Sequence, residues 1–179
     1  MAKITTAAAL AIVALLTGFA GEALACKGGN KLPNAQTVNS ARLTLVCLAN
    51  KERRQHGVRL VRGDPALTTA AQLHSDAMAA DNFFAHAGAD GTPVSRADLV
   101  GYGRGSHSWA IGENLGFGGG YRGTPKAIFK AWVGSPRHRQ VIVDRRWREV
   151  GIGVTIGSPL GVDGKGMAIY TIDFGYRSR

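Results

Sequence analysis

The pattern of apolar and polar positions predicts helices through most of the chain and strands mainly towards its end. Residues 38–56 carry apolar side chains at helical spacing, and Gly57 follows as a stop signal. A second helix is predicted to begin with Asp64 as N-cap and Pro65 in its first position. Apolar residues then recur on one face of that helix. His74 falls on the same face, so it is expected to be a hydrogen-bonded core residue.

Three further helix starts share one signature, a hydroxyl residue followed by proline. They are Thr92-Pro93, Thr124-Pro125 and Ser135-Pro136. In each, the hydroxyl residue is suited to cap the helix and the proline to occupy its first turn. The pattern therefore predicts a short third helix ending near Gly101, followed later by two more.

Strand character is concentrated in two segments near the end of the chain. Over residues 148–157, Val and Ile alternate with Gly and Thr, which predicts one buried face and a second face that another element approaches closely. Residues 166–175 predict a second strand, and the turn-rich connection favours an antiparallel hairpin. Helices outside a small, mostly antiparallel sheet give an α+β fold, a three-layer α-β-α sandwich.

The first 25 residues are typical of a secretory signal peptide. Lys3 precedes an apolar run, and Ala23-Leu24-Ala25 forms a small-x-small cleavage site. The mature chain would then begin at Cys26 with about 150 residues, enough for one domain. Because cysteine follows the cleavage point, a lipid anchor at Cys26 is the alternative to a free N-terminus.

The cysteine content suits an exported protein. The chain has two cysteines, Cys26 and Cys47, which predicts a single disulfide. It would tie the N-terminal segment, residues 26–42, to the first helix and stabilise the fold by about 3 kcal/mol.

The chain is strongly basic, with 22 Lys and Arg against 12 Asp and Glu and a net charge of +10. Such a surface favours anionic cell-envelope polymers or lipids, although ordinary solvated charge explains it too. Nucleic acid is not expected, because the basic residues are not interleaved with aromatic ones and the chain is predicted to be exported. No stretch after the signal is long and apolar enough for a transmembrane segment.

The glycine-rich stretch "AIGENLGFGGGYRGTP" contains one acid, Glu113. A phosphate-binding loop would need a lysine before the following helix, and none is present. The alternation around Glu113 instead favours a strand. His86 and His138 could join Glu113 as a metal-ligating set of two histidines and one carboxylate, suited to zinc. Spacings of 27 and 25 residues are not a metal motif, so separate structural roles are the alternative.

Ser135 lies three residues before His138, which raises the hypothesis of a Ser-His-Glu hydrolase. The chain has no G-x-S-x-G elbow, and Ser135-Pro136 is a favourable helix start. Capping is therefore the favoured interpretation of Ser135.

Several motifs together resemble those of bacterial members of the CAP superfamily, named for cysteine-rich secretory proteins, antigen 5 and pathogenesis-related 1 proteins. In chain order they are "CLANKERRQHGVRLVRGDPALTTAAQLHSDAMAADNFFAHAGADG", "IGENLGFG", "AWVGSPRHRQVIV", "REVGIGV" and "YTIDFG". The resemblance assigns residues 43–176 to a CAP or SCP domain.

The resemblance implies an α-β-α sandwich with a cleft lined by histidine and glutamate. The matching cleft residues are His86, Glu113 and His138, and Asn114 is expected to anchor the motif through hydrogen bonds. Ser135 stands where family members with a four-residue site have a second glutamate. The loss of that ligand lowers the expected affinity for zinc or calcium.

Three functions are consistent with these residues. The leading hypothesis is a secreted binding protein whose cleft holds a divalent cation, zinc or calcium, or a small apolar or envelope-derived ligand. The second is a metal-assisted extracellular hydrolase or peptidase with Glu113 as base. The third is a structural or adhesive envelope protein that uses its basic surface.

Overall fold

The computed structural model describes residues 26–178, so the predicted signal peptide at 1–25 lies outside the described residues. Five α-helices and four strands follow along the chain. The helices are α1 (Val38–Gln55), α2 (Pro65–Ala80), α3 (Pro93–Leu99), α4 (Pro125–Gly134) and α5 (Pro136–Val143). The strands are β1 (Arg62–Gly63), β2 (Ser108–Gly119), β3 (Glu149–Ile156) and β4 (Met167–Ser178).

The predicted helix starts are confirmed, and their caps explain most of them. The Asp64 carboxylate accepts from the backbone N–H of Leu67 at 3.0 Å. Thr92 and Ser95 form a reciprocal capping box at the start of α3. Thr124 accepts from the N–H of Ala127 at 3.3 Å.

Ser135 differs from its prediction. It occupies the N-cap position of α5, but its side chain makes no cap hydrogen bond. The same residue ends α4, with its N–H donating to the carbonyl of Trp132 at 3.1 Å. Ser135 therefore serves as an extended link between two helices, and the predicted side-chain cap is wrong.

The sheet has the order β1-β3-β4-β2 and is antiparallel apart from the short parallel pairing of β1 with β3. Helices α1, α4 and α5 cover one face, where Leu45, Trp132 and Ile142 pack against Ile152 and Phe174. Helices α2 and α3 cover the other face. This is the three-layer, mostly antiparallel α+β sandwich expected from the sequence.

The alternation in β3 has the predicted physical cause. Val150, Ile152 and Val154 lie in the core beneath α1, α4 and α5. Gly151 and Gly153 face the main chain of α2, where a Cβ atom would collide with the helix backbone. The two glycines thus let α2 pack directly on the sheet, at the cost of any side chain between them.

The predicted disulfide is present and closes a 21-residue separation between Cys26 and Cys47, with their Cα atoms 5.6 Å apart. It ties the segment before α1 to the middle of that helix. Among residues 26–178, none of the helices is long and apolar enough to span a membrane.

Candidate functional site

The candidate site lies along β2, which forms one edge of the sheet. Glu113 stands near the middle of this strand and its side chain is 2% exposed. Its Oε1 accepts from Nδ1 of His86 at 2.7 Å, and its Oε2 accepts from the Arg96 guanidinium at 2.7 Å. His86 comes from the loop after α2, and its side chain is 58% exposed. A buried carboxylate therefore holds a solvent-facing imidazole.

Arg96 is the buried centre of this arrangement. It lies on α3 and also donates to the carbonyl oxygens of Gly91 at 2.8 Å and His86 at 3.1 Å. One nitrogen lies 3.4 Å from Oδ2 of Asp90. Arg96 thus fixes the main chain of the loop that carries His86 as well as the carboxylate that His86 contacts.

His74 supports the same loop from α2. It is fully buried, and its Nε2 donates to the carbonyl of Ala85 at 2.9 Å. Its Nδ1 forms a hydrogen bond with Oδ2 of Asp90 at 2.7 Å. The expectation of a hydrogen-bonded core histidine is confirmed, and the bond to Ala85 places it directly behind His86.

A second carboxyl group lies beside Glu113. Asp173 on β4 is paired with Glu113 across the β2–β4 ladder and is 1% exposed. Burial, and then the charge of Glu113, raise the pKa of Asp173 well above its usual range, although Arg96 opposes this. Asp173 is therefore a second buried carboxyl group whose ionisation is disfavoured.

His138 on α5 approaches β2 from the opposite helical layer, and Asn114 follows Glu113 on the strand itself. Asn114 is fully buried, and its Nδ2 donates to the main-chain carbonyl of His138 at 2.9 Å, which ties α5 to the strand. Burial, and then the charge of nearby His86, lower the pKa of His138. In contrast, the hydrogen bond to Glu113 raises the pKa of His86, although partial burial opposes it.

A groove of about 290 Å³ continues along β2 from this point. Its walls come from both helical layers, with Phe84 on one side and Ile128 and Trp132 on the other. Leu115 and Phe117 of β2 also line it, while Ser135 and His138 are its polar wall residues. The Trp132 indole N–H donates to the carbonyl of Leu115 at 2.7 Å, so one polar group of the strand edge is already satisfied.

The cleft residues suggested by the sequence are brought to one strand edge, but they are not arranged as a preformed metal site. Within residues 26–178, no group of three or more His, Cys, Asp or Glu side chains is placed to hold a metal ion. Both Glu113 oxygens are engaged, by His86 and by Arg96. A divalent cation at Glu113 would face the Arg96 guanidinium, so this donor set does not fit a metal as it stands. Metal binding after a rearrangement stays a prediction.

Sequence reasoning missed Arg96, Asp90 and Asp173. No sequence signal separates Arg96 from the many other basic residues of the chain. Asp173 did carry a signal, because it interrupts the apolar strand "AIYTIDFG" with a charge.

Comparison with known proteins assigns this chain to a family. A profile described as the cysteine-rich secretory protein family matches residues 46–174, most of the chain. The protein YkwD of Bacillus subtilis is 30% identical over 118 residues, which are 65% of this chain and 43% of YkwD. The chain therefore spans less than half the length of this relative.

Solved structures show the same fold. An extracellular SCP-domain protein of Bacillus anthracis superposes with a TM-score of 0.61 at 22% identity, covering 77% of this chain and 41% of that one. An outer surface protein of Borrelia burgdorferi gives a TM-score of 0.64 at 17% identity, covering 84% of this chain and 99% of that one. The chain belongs to the cysteine-rich secretory protein family, as a CAP or SCP domain protein.

Proposed function

We propose that this chain is an extracellular binding protein whose cleft takes a small ligand with an apolar body and a polar end. The observation that carries the proposal is the apolar groove along β2, whose wall residue His138 lies near the exposed His86 imidazole that a buried carboxylate holds. A volume of about 290 Å³ suits one small molecule. The disulfide, the predicted signal peptide and the extracellular relatives support a location outside the cell.

Each part of the cleft has a distinct role in this proposal. Phe84, Trp132 and their neighbours would bury the ligand body, which stabilises the complex by about 25 cal/mol per Å² of apolar surface. The Nε2 atom of His86 makes no hydrogen bond within the described part of the chain. It is therefore placed to bind the polar end of a ligand, in an orientation fixed by Glu113.

The test is a fluorescence titration with the neutral apolar probe N-phenyl-1-naphthylamine. Phe84→Ser removes an apolar wall and should weaken binding about 10-fold, equivalent to about 1.4 kcal/mol. The matched control is Leu99→Ser, because Leu99 is 73% exposed and does not line the groove. Quenching of the Trp132 signal, identified with Trp132→Phe, should accompany binding. Equal weakening by both serine variants would contradict the proposal.

A divalent cation is a separate proposal for the same cleft. Zinc or calcium would have to draw Glu113 away from Arg96 and bring His86 and His138 together. The measurement is metal content by mass spectrometry with calorimetric titration, on the chain from Cys26 onward and on His86→Ala/His138→Ala. Stoichiometric binding by the wild type alone would support the cation, and equal results for both proteins would exclude it from this cleft.

The hydrolase hypothesis is supported by one observation, the His86–Glu113 hydrogen bond. A carboxylate that orients an imidazole is the arrangement found behind general bases. Since both Glu113 oxygens are engaged, His86 rather than Glu113 is the group placed to accept a proton. Turnover of an ester and peptide panel that is lost in both His86→Ala and Glu113→Gln would support catalysis. Turnover that survives either change would contradict it.

A further inference from the structure

A second cavity, of about 400 Å³, lies where β1 meets the start of β3 and the end of β4. Four arginines line it: Arg59, Arg62, Arg148 and Arg177. Glu149 is the acid among its lining residues. None of these residues lines the groove along β2, so this arginine pocket is separate from the cleft.

The carboxylates around the arginine pocket already form ion pairs with two of its arginines. Glu149 accepts from Arg62 at 2.8 Å and from Arg177 at 2.8 and 3.0 Å. Arg177 also donates to Asp64 at 2.7 Å. Two acids therefore neutralise the charges of Arg62 and Arg177. The charges of the other two lining arginines, Arg59 and Arg148, are not neutralised by these acids.

Arg59 and Arg148 have no carboxylate partner within residues 26–178. The guanidinium of Arg59 makes no hydrogen bond to the described chain. That of Arg148 donates to the main-chain carbonyls of Arg145, Arg146 and Trp147, at 2.7 to 2.9 Å. These carbonyls orient the Arg148 side chain without neutralising it.

Besides Arg59 and Arg148, a third arginine without a carboxylate partner lies directly behind the pocket wall. Arg53 is fully buried and donates to four main-chain carbonyls, including those of Arg59 and Trp147, but to no carboxylate. Burial lowers the pKa of Arg53 to about 10; Asp144 opposes this, and the charge of Arg148 contributes to the lowering. A bound anion would relieve this repulsion between like charges.

We propose that the arginine pocket binds the phosphate groups of an anionic ligand. The planar guanidinium fork matches phosphate oxygens in a bidentate geometry, and four arginines line this one cavity. The cavity is larger than one phosphate requires, so the ligand carries a second phosphate or an attached polar group. This site goes beyond the proposed cleft function, since it uses a different surface and a different chemistry.

The first experiment is calorimetric titration with inorganic pyrophosphate at about 20 mM salt, where screening of charge is weak. Arg59→Gln/Arg148→Gln should weaken binding about 10-fold or more, and Arg59→Gln alone about 3-fold. The control, Arg104→Gln/Arg122→Gln, removes the same charge from exposed positions outside the pocket and should change affinity less than about 2-fold.

Arg59→Gln keeps the test valid if the double variant unfolds, because the Arg59 side chain has no hydrogen bond to lose. Thermal melts followed by circular dichroism establish that each variant is folded. An absence of pyrophosphate binding by the wild type would overturn the proposal, as would equal weakening in the pocket and control variants.

Vesicles distinguish a lipid headgroup from a soluble phosphate compound. Sedimentation with phosphatidylglycerol vesicles, but not with phosphatidylcholine vesicles, would identify a headgroup if pyrophosphate competes. Pyrophosphate binding without vesicle binding would identify a soluble ligand for the same pocket. Vesicle binding that pyrophosphate and Arg59→Gln leave unchanged would place the anion site elsewhere and overturn the proposal.

Discussion

Two buried glutamates, Glu113 near the middle of the edge strand β2 and Glu149 at the start of the inner strand β3, have different surroundings. Glu149 receives hydrogen bonds from Tyr102 at 2.6 Å, from Arg62 and from Arg177. Burial alone would raise its pKa, but these donors lower the pKa to about 2. Glu149 is thus a fully satisfied carboxylate with its charge fixed across the usual pH range.

Glu113 has fewer donors, and one of them is a titratable imidazole. It receives hydrogen bonds from buried Arg96 and from His86, which faces solvent, and it lies beside Asp173, whose pKa is raised by burial and then by the charge of Glu113. The difference teaches that burial of an acid does not by itself mark a functional site. The informative feature is a buried carboxylate that is hydrogen-bonded to an exposed titratable group near a groove.

The largest expected effect comes from breaking the Glu149 network. Glu149→Gln should lower the free energy of unfolding by about 3 kcal/mol, because it replaces one acceptor oxygen by a donor and removes the negative charge that faces Arg62 and Arg177. Denaturant unfolding at pH 7 measures this change. Asp163→Asn is the control, since Asp163 pairs with Lys165 on the surface and should contribute less than about 0.5 kcal/mol.

The loss of stability in the same variant should depend on pH, and the direction of this dependence follows from the lowered pKa of Glu149. The folded-state pKa of Glu149 is about 2, below its ordinary value of 4.5, so its stabilisation is present above pH 4.5 and is lost as pH falls towards 2. The stability difference between wild type and Glu149→Gln should narrow over that interval. A constant difference would show that Glu149 stabilises by shape rather than by charge.

Replacing Glu113 should cost less, about 1–2 kcal/mol, because Asp173 can take its place as counterion. In Glu113→Gln, burial still raises the pKa of Asp173, but the charge of Glu113 no longer adds to it, so the Asp173 carboxyl ionises more readily beside Arg96. The double variant Glu113→Gln/Asp173→Asn should therefore lose at least about 1 kcal/mol more than the sum of the single variants. Additive losses in denaturant unfolding would contradict this compensation.

Much of the fold could be predicted from the sequence because its signals are local. Asp64-Pro65 and Thr124-Pro125 act within one helical turn, so the helix starts that they cause can be predicted without knowledge of the tertiary structure. The Val-Gly alternation of β3 also encodes its packing directly. Ser135 shows the limit, since one residue that ends α4 and begins α5 cannot be assigned from one helix alone.

The candidate site was only partly predictable because its connections are not local. Glu113 and His86 stand out through their neighbours in the sequence, but Arg96 acquires its role from a loop, a strand and a helix meeting in space. The arginine pocket depends in the same way on β1, β3 and β4 lying side by side. The basic composition is consistent with an anionic partner, whereas the place proposed for it depends on the order of the strands in the sheet.

A smaller effect is expected at Asp173 alone. Its folded-state pKa is raised, so the folded chain retains a proton that the unfolded chain releases above its ordinary value of 3.8. Wild-type stability should therefore fall, relative to Asp173→Asn, as pH rises from 4 to 7. Asparagine imitates the neutral acid and lacks this dependence. A stability difference that does not change with pH would show that Asp173 is ionised in the folded chain.

The smallest effect, and the most direct view of the cleft, is the order in which its histidines titrate. The hydrogen bond to Glu113 raises the pKa of His86, whereas burial and the charge of His86 lower that of His138, so the two should lie on opposite sides of 6.5. The His86 contribution to stability is then fully present below pH 6.5 and is lost as pH rises through its folded-state pKa. Two-dimensional NMR of the imidazole resonances measures both values. In His86→Ala the pKa of His138 should rise, because the neighbouring charge is gone; an unchanged value would mean that the two imidazoles do not share the cleft.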